Sequence, residues 1–404
     1  MKIIYFTVTP LDSGLNGGNL CCRNHVRRLA EDPSIDLVVV AAPSLISAAG
    51  TQAFLQEVGV EHLVKPISDQ NLYPEVLTLG GTLKFGWQVL THFPWELKSL
   101  NQQEIDEAVR WATRRWRPDV VVIDYLFSAL FCPSVLHSDT RTAIVTLNRE
   151  AEFHRQMIDL GLIKQAWPFA QIGHRRAELF ERNVYGSADR VIAISQNDIP
   201  PYAANKSECI SPYLDPNDVG WSFNPSTAND VFFVGNIAHY PNRLAIEFIA
   251  ERLAPAVAAR RQDIQFKIVG AGAAQVPPEW IDPQIEYLGF GSQELVQQLF
   301  QTAGLFICPV ENTFGVKFKV LEALSYRTPQ VVSAETKQGI PYIPSVPVID
   351  LADPEACAEL ICSLAGDQAA LEALHRSIAT EAEQFEESQR GVWSRALSAG
   401  SPVD

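Results

Sequence analysis

A chain of 404 residues is longer than one hydrophobic core usually serves, so two domains are the starting expectation. Hydrophobic residues at 47% and charged residues at 20% are the balance of an ordinary soluble globular protein, which excludes a disordered or fibrous chain. A formal net charge of −15 with no long basic stripe repels phosphate backbones; it excludes nucleic acid as a partner and leaves small nucleotides open.

Along the first half, short apolar runs at 2–7, 36–41, 119–124, 143–147 and 190–194 alternate with stretches of helical periodicity. Continuous apolar runs are the mark of strands buried on both faces, and their alternation with helices predicts a parallel sheet of βαβ units. The first helix is well marked, with Cys22, Val26, Leu29 and Ala30 on one face and Asp32-Pro33 as its stop. A polar interval rich in Pro and Asn, 205–230, reads as the interdomain linker. A second series of strands follows at 231–234, 266–269, 285–288, 305–308, 330–333 and 348–351, with helices at 242–257, 293–302 and 354–364 between them. The stretch 368–397 reads as helix. The expectation is therefore an α/β protein of two successive Rossmann-like domains, with ligands at the carboxyl ends of the strands.

Seven cysteines, at 21, 22, 132, 209, 308, 357 and 362, are odd in number and lack metal-ligand spacing, and they predict reduced thiols in a cytoplasmic protein. The start, Met1 followed by the run Ile3 to Phe6, lacks a basic region and a cleavage site, against a signal peptide. No apolar stretch approaches the ~20 residues that a membrane helix needs.

The most informative segment runs from Phe306 through Pro309, Gly315, Val316, Lys317 and Lys319 to Glu322-Ala323. It resembles the donor-site motif of family 4 retaining glycosyltransferases of the GT-B fold (glycosyl transferases group 1), in which a strand leads through a glycine loop into a helix bearing Lys-x-x-Glu-Ala. Gly315, Lys317, Lys319 and Glu322 fall on matching positions, while Thr313 stands where the subgroup has its first loop glycine. The resemblance implies two Rossmann-like domains facing a cleft, an acceptor-binding domain at 1–204 completed by a C-terminal helix at 380–400, and a donor-binding domain at 205–379. It also implies that Lys319 faces the diphosphate of a nucleotide sugar and that Glu322 accepts hydrogen bonds from the ribose. A loop glycine lets backbone N–H groups approach phosphate, and the helix that follows points its positive end there. Other members carry a glutamate that touches the donor sugar at the place of Phe314, so the sugar's identity is not implied.

Weaker segments support the likeness. The run 230–236, ending in Gly235 and Asn236 and followed by Pro241-Asn242, is similar to the family's Phe-x-Gly strand end and the Pro-Asn that opens the next helix. Where many members place Arg and Lys for the donor phosphates this chain has Asn236 and Asn242; Arg243 is the substitute, with an exposed first-turn arginine as the plainer reading. Residues 187–195 resemble a strand near the end of the first domain. Gly17-Gly18 stands where the family keeps a glycine pair near the phosphates. A dinucleotide fingerprint is lacking there, and Gly270-Ala271-Gly272 alone reads as a turn. In place of the family histidine that contacts the transferred sugar the chain has Asn148, which supplies the same hydrogen bond, and His154 lies one turn into the next helix.

A retaining transfer in this family passes the acceptor proton to the leaving diphosphate, so the protein's work is positioning and charge neutralisation. The resemblance thus makes Lys319, Lys317 and Asn148 catalytic and Gly17, Gly18, Gly235, Asn236, Arg243, Gly315, Val316 and Glu322 donor-binding, with no cofactor and no metal. The partners implied are a nucleotide-sugar donor and a glycan, lipid-linked or small-molecule acceptor. Aromatics interleaved with bases, Trp87, Phe93, Trp95, Trp111 and Trp116 among Arg110, Arg114, Arg115 and Arg117, and Trp167 and Phe169 ahead of His174, Arg175 and Arg176, suit peripheral contact with a membrane. The stripe Ile105, Val109, Ala112, Trp116 suits a core instead. A catalytically silent interaction subunit and a sugar-nucleotide epimerase remain as alternatives.

Overall fold

The computed structural model describes residues 1–12, 17–67, 102–159, 167–212, 214, 216–272, 276–311 and 315–398, and at 167–169 the backbone alone. Trp87, Phe93, Trp95, Thr313 and Phe314, and the side chains of Trp167 and Phe169, lie outside the described residues. The chain divides into two compact units, Met1–Pro212 with Gly391–Asp404, and Tyr213–Arg390.

In the first unit the described strands are β1 (Lys2–Thr7), β2 (Asp36–Ala41), β3 (Glu61–Val64), β4 (Val120–Asp124), β5 (Thr142–Thr146), β6 (Arg190–Ala193) and β7 (Ser207–Cys209). They form one sheet in the order β3-β2-β1-β4-β5-β6-β7, parallel at every pairing. The central strands are buried on both faces, and Ile4, Phe6, Val38, Val121 and Ile144 pack with Ile105, Val109 and Ala112 of the helix Gln102–Trp116. The edges are different. Sequence patterning misses β3 and β7 because Glu61-His62-Leu63-Val64 and Ser207-Glu208-Cys209 are short, polar and largely half-buried, as edge strands commonly are.

The second unit holds β8 (Asp230–Val234), β9 (Gln265–Val269), β10 (Ile285–Gly289), β11 (Leu305–Cys308), β12 (Gln330–Ser333) and β13 (Val348–Ile349), again parallel, in the order β10-β9-β8-β11-β12-β13. Phe232, Phe300 and Phe306 meet with ring centroids 5.1 to 5.5 Å apart. Local chemistry fixes the helix starts: Ser292, Asp353 and Asp367 each accept a backbone N–H three residues on, at 3.3, 3.0 and 2.9 Å.

Three elements differ from the expected spans. The helix expected at 242–257 starts earlier, at Tyr240, and breaks into Tyr240–Phe248, a π-turn Ile249–Leu253 and Ala254–Ala258. Pro255 explains the turn, since it has no N–H to give the preceding turn and its ring crowds the carbonyl four residues back. The interval 205–230 is not one linker. Its start forms β7 of the first sheet, while Asn217 N donates to Ser325 O at 2.9 Å and Trp221 N to Tyr326 O at 2.7 Å, both inside the second unit. The division therefore falls at 212/213 rather than 204/205. The helix expected over 368–397 is two helices, Gln368–Ser388 and Val392–Ser398, interrupted at Gly391, whose φ of +65° lies in the left-handed region that favours glycine. The first of the two belongs to the second unit and the other to the first. In the first unit Trp393 is 3% exposed and meets His25 edge-on at 5.2 Å.

No helix among the described residues is long and apolar enough to cross a membrane. All seven cysteines are free thiols; Cys209 and Cys362 are half-buried and the others buried.

Candidate functional site

In each sheet the strand order reverses at one place, between β1 and β4 in the first unit and between β8 and β11 in the second. The loops leaving the carboxyl ends of such strands diverge and open a crevice, the usual ligand position in doubly wound sheets. The candidate residues of the second unit stand on the loops after β8 and β11.

After β11 the chain passes through Pro309 and Val310 to Gly315, with φ +64°, and then Lys317 caps the helix Phe318–Ser325. A residue with a Cβ at Gly315 meets the left-handed penalty of about 1 kcal/mol or more. Val316 is 8% exposed, so it offers a ligand its backbone rather than its side chain. Lys317 Nζ donates to Gly315 O at 3.2 Å. Lys319 Nζ donates to Asn242 Oδ1 at 2.7 Å and sits 4.2 Å from the centroid of the Phe233 ring. Burial, with a contribution from Lys317, lowers the Lys319 ammonium to about 8. Three residues on, Glu322 shares that helix face, and burial raises its carboxyl to about 7. Among the described residues the Glu322 carboxylate has no ion-pair or hydrogen-bond partner. A half-buried acid and a half-buried base on one helix face, neither neutralising the other, are groups held ready for a ligand.

The loop after β8 completes the cradle. Gly235 has no room for a side chain: a Cβ there would stand 2.8 Å from Asn242 Cγ and from a Phe233 ring carbon. Asn236 is exposed and turns its Oδ1 back to accept from Ala238 N at 2.9 Å. Asn242 is the joint between the two loops, since its Nδ2 donates to Asn236 O at 3.1 Å while its Oδ1 receives Lys319. His239, ahead of the helix Tyr240–Phe248, has its imidazole pKa lowered by burial and then by Lys319 and Lys317. Arg243 is exposed, with its guanidinium 5.9 Å from the Trp280 ring centroid.

Sequence reasoning passed over one part. Gly270-Ala271-Gly272, read as a plain turn, lies flat against the β8 loop: a Cβ on Gly270 would stand 2.0 Å from Gly235 O, and one on Gly272 would stand 2.2 Å from Ile237 Cγ2. Together Gly235, Ile237, Gly270, Tyr287 and Gly289 line a small recess at the ends of β8, β9 and β10. The signal was a Gly-x-Gly placed directly after a strand of the same sheet.

The other residues singled out belong to the first unit. Gly17 and Gly18 open the helix Gly17–Glu31 behind β1. Asn148 follows β5 and donates through Nδ2 to Glu150 Oε1 at 3.1 Å. His154 stacks on His174, rings 6.2 Å apart and 10° from parallel, and burial lowers its pKa. Ile105, Val109 and Ala112 are buried in the core, Trp111 is exposed, and Trp116 Nε1 donates to Glu61 Oε1 at 2.8 Å. Among the described residues no group of three or more His, Cys, Asp or Glu is placed to hold a metal ion.

Residues 228–367, most of the second unit, match the family described as glycosyl transferases group 1. No curated protein matches the chain. In fold the whole chain is similar to TarM at a TM-score of 0.68 and 10% identity, over 98% of this chain and 99% of that one. It is likewise similar to HepE of Anabaena, a structure in complex with UDP and glucose, at 0.63 and 13% over 98% and 99%. The sucrose-phosphate synthase of Thermosynechococcus elongatus follows at 0.60 and 14% over 98% and 99%. The chain has the GT-B fold of these glycosyltransferases.

Proposed function

We propose that the protein is a retaining glycosyltransferase that moves a sugar from a nucleoside diphosphate sugar to an acceptor hydroxyl without a divalent metal, with the donor on the second unit and the acceptor on the first. The observation that carries this reading is the Lys319–Glu322 helix face at the strand-order reversal, with an ammonium and a carboxylate that do not pair with each other. Negative charge grows on the leaving diphosphate as the glycosidic bond breaks, and Lys319, with Lys317 and the backbone amides around Gly315, meets that charge. Binding the diphosphate reverses the effect of burial on Lys319 and keeps it protonated. Glu322 accepts from the ribose hydroxyls, whose charge does not change during the reaction. The recess at Gly235, Gly270 and Gly289 takes the base. Because HepE is in complex with UDP and glucose, a uridine donor is the first to test.

The product's anomeric configuration is the decisive measurement. Proton NMR of the early product from UDP-glucose and a sugar acceptor is expected to show retention; inversion would overturn the mechanism and leave the fold untouched.

A second reading, peripheral contact of a cytoplasmic protein with a membrane and a lipid-linked acceptor, has its own support. The helix Trp167–Ser187 carries Ile172, Arg175, Leu179 and Arg182 at helical spacing and at its surface, a face that mixes apolar and cationic groups. Flotation with vesicles containing phosphatidylglycerol is expected to carry the protein upward, and Leu179→Glu is expected to weaken it.

A further inference from the structure

A buried polar network outside the donor cradle surrounds Glu150. This residue opens the helix Glu150–Asp159 just after β5 and is 7% exposed. One of its carboxylate oxygens, Oε1, receives two donors, Tyr125 OH at 2.9 Å and Asn148 Nδ2 at 3.1 Å. Tyr125 directly follows β4 and holds φ +74°, a conformation that costs a non-glycine residue about 1 kcal/mol or more and persists only where its surroundings enforce it. The strained residue thus delivers its hydroxyl to Glu150. A second buried carboxylate, Glu181 at 3% exposure, accepts from Ala151 N at 2.8 Å and Tyr202 OH at 2.6 Å, so it has its own donors and does not compete for Asn148.

The chemistry of the pair fixes which way the Asn148 amide points. Burial raises the Glu150 carboxyl while its bonds from Asn148 and Tyr125 oppose that rise; the ionised carboxylate those two donors favour only accepts, so the NH₂ side of the amide must face Glu150 and the carbonyl side must face away. The Asn148 backbone is held as well, its carbonyl accepting from Thr146 Oγ1 at 2.7 Å. Among the described residues no donor is paired with Asn148 Oδ1. Asn148 is half-buried at the carboxyl end of β5, on the ligand side of the first sheet.

We propose that Glu150 is a positioning residue that locks Asn148 with its carbonyl oxygen turned to the ligand, so that the group recognised there is a hydroxyl of the transferred sugar acting as hydrogen-bond donor. This deepens the reading of Asn148 as the residue that contacts the sugar, and it rests on that reading. It also fixes the polarity of the contact: Asn148 accepts from the sugar instead of donating to it.

The test exchanges the two functional groups. Asn148→Asp puts two carboxylates face to face, and Glu150→Gln lets the amide turn either way. The double variant Asn148→Asp with Glu150→Gln restores one donor and one acceptor between the positions: the new amide at position 150 donates to the new carboxylate at position 148, whose other oxygen stays an acceptor toward the ligand. Thermal unfolding reads the lock whatever the substrate: the transition is expected to fall in Asn148→Asp and to return close to the parent value in the double variant. Additive shifts would overturn the proposal. Turnover reads the polarity, using the fastest of UDP-glucose, UDP-N-acetylglucosamine and GDP-mannose and following diphosphate release. Asn148→Asp is expected to lose roughly tenfold or more in kcat/KM, the scale of one hydrogen bond to a charged or sugar group, and the double variant to recover most of it. A double variant that regains stability without regaining turnover would overturn the acceptor role. Turnover unchanged in Asn148→Ala but lost in Lys319→Ala would remove Asn148 from the sugar site and leave the donor cradle standing.

Discussion

The loops after β8 and β11 in the second unit and the segment after β5 in the first both sit at the ligand ends of their sheets, yet they treat charge in opposite ways. Around Glu150 and Glu181 the donors are supplied by the protein itself, from Tyr125, Asn148, Tyr202 and a backbone N–H. Around Lys319 and Glu322 the protein supplies far less: the ammonium gives one of its three N–H groups to Asn242, and the carboxylate has no partner among the described residues. A satisfied network holds a shape, whereas an unsatisfied one stores electrostatic free energy that a ligand releases. The end at Lys319 is built to receive charge and the other to hold a side chain still.

The largest effect should come from removing the charge at the donor end. On the proposed reading Lys319→Ala takes away the group that meets the leaving diphosphate, and kcat is expected to fall by roughly 10²-fold or more in steady-state kinetics. Glu322→Ala should act on binding instead, raising the donor KM more than it lowers kcat, by on the order of 1.5 to 3 kcal/mol for hydrogen bonds to a charged acceptor. If the two variants behave alike, the division of labour on this helix face is wrong.

A pH profile sharpens the same contrast. The proposed roles need Glu322 ionised and Lys319 protonated in the free enzyme, so kcat/KM is expected to rise through about 7 and fall through about 8. Glu322→Gln should remove the acid limb while leaving the basic one.

Stability should move the other way. Burial raises the folded-state pKa of Glu322, so its contribution to stability is present below the ordinary carboxylate range and is lost as pH rises through about 7. Near pH 8 the neutral Glu322→Gln variant is therefore expected to unfold at a higher temperature than the parent, a gain on the order of 1 to 3 kcal/mol that vanishes in acid. Burial raises the Glu150 carboxyl too, but its two protein donors oppose the rise and an amide there would disturb them, so the equivalent change at Glu150 should bring a smaller gain. Metal removal should have the smallest effect, with a chelator leaving turnover within about twofold, if lysine and helix-end amides carry the neutralisation as proposed.

The sheets were legible in the sequence because their central strands are continuous apolar runs, and the candidate loop after β11 because Gly315, Lys319 and Glu322 keep a fixed spacing across the strand end and the helix start. The polar edge strands Glu61–Val64 and Ser207–Cys209 left no periodic trace. The partner of Asn148 was not legible for another reason. Tyr125 and Glu150 lie 25 residues apart and meet only once β4 and β5 pair, so no local spacing announces them. Asn242 is visible in the sequence only as part of the Pro-Asn near a helix start, and its bond to Lys319, 77 residues away, is likewise a product of the strand-order reversal. Gly270 and Gly272 were visible, and their use was not, because close backbone approach depends on a neighbouring loop.

The break at Gly391 bears on how the protein is made. The first unit is closed by residues that leave the ribosome after the whole second unit: Trp393 covers His25, and Leu397 O accepts from Arg141 Nη2 at 3.1 Å. His25 and Asp124 are joined at 3.0 Å with 2% and 0% of their side chains exposed, so until translation reaches Trp393 this pair lacks its indole cover. A nascent chain stalled within the helix Gln368–Ser388 would thus carry a second unit with all of its described strands beside a first unit still missing the helix Val392–Ser398. Quality control that senses an open first unit would in effect be checking whether synthesis has passed the second.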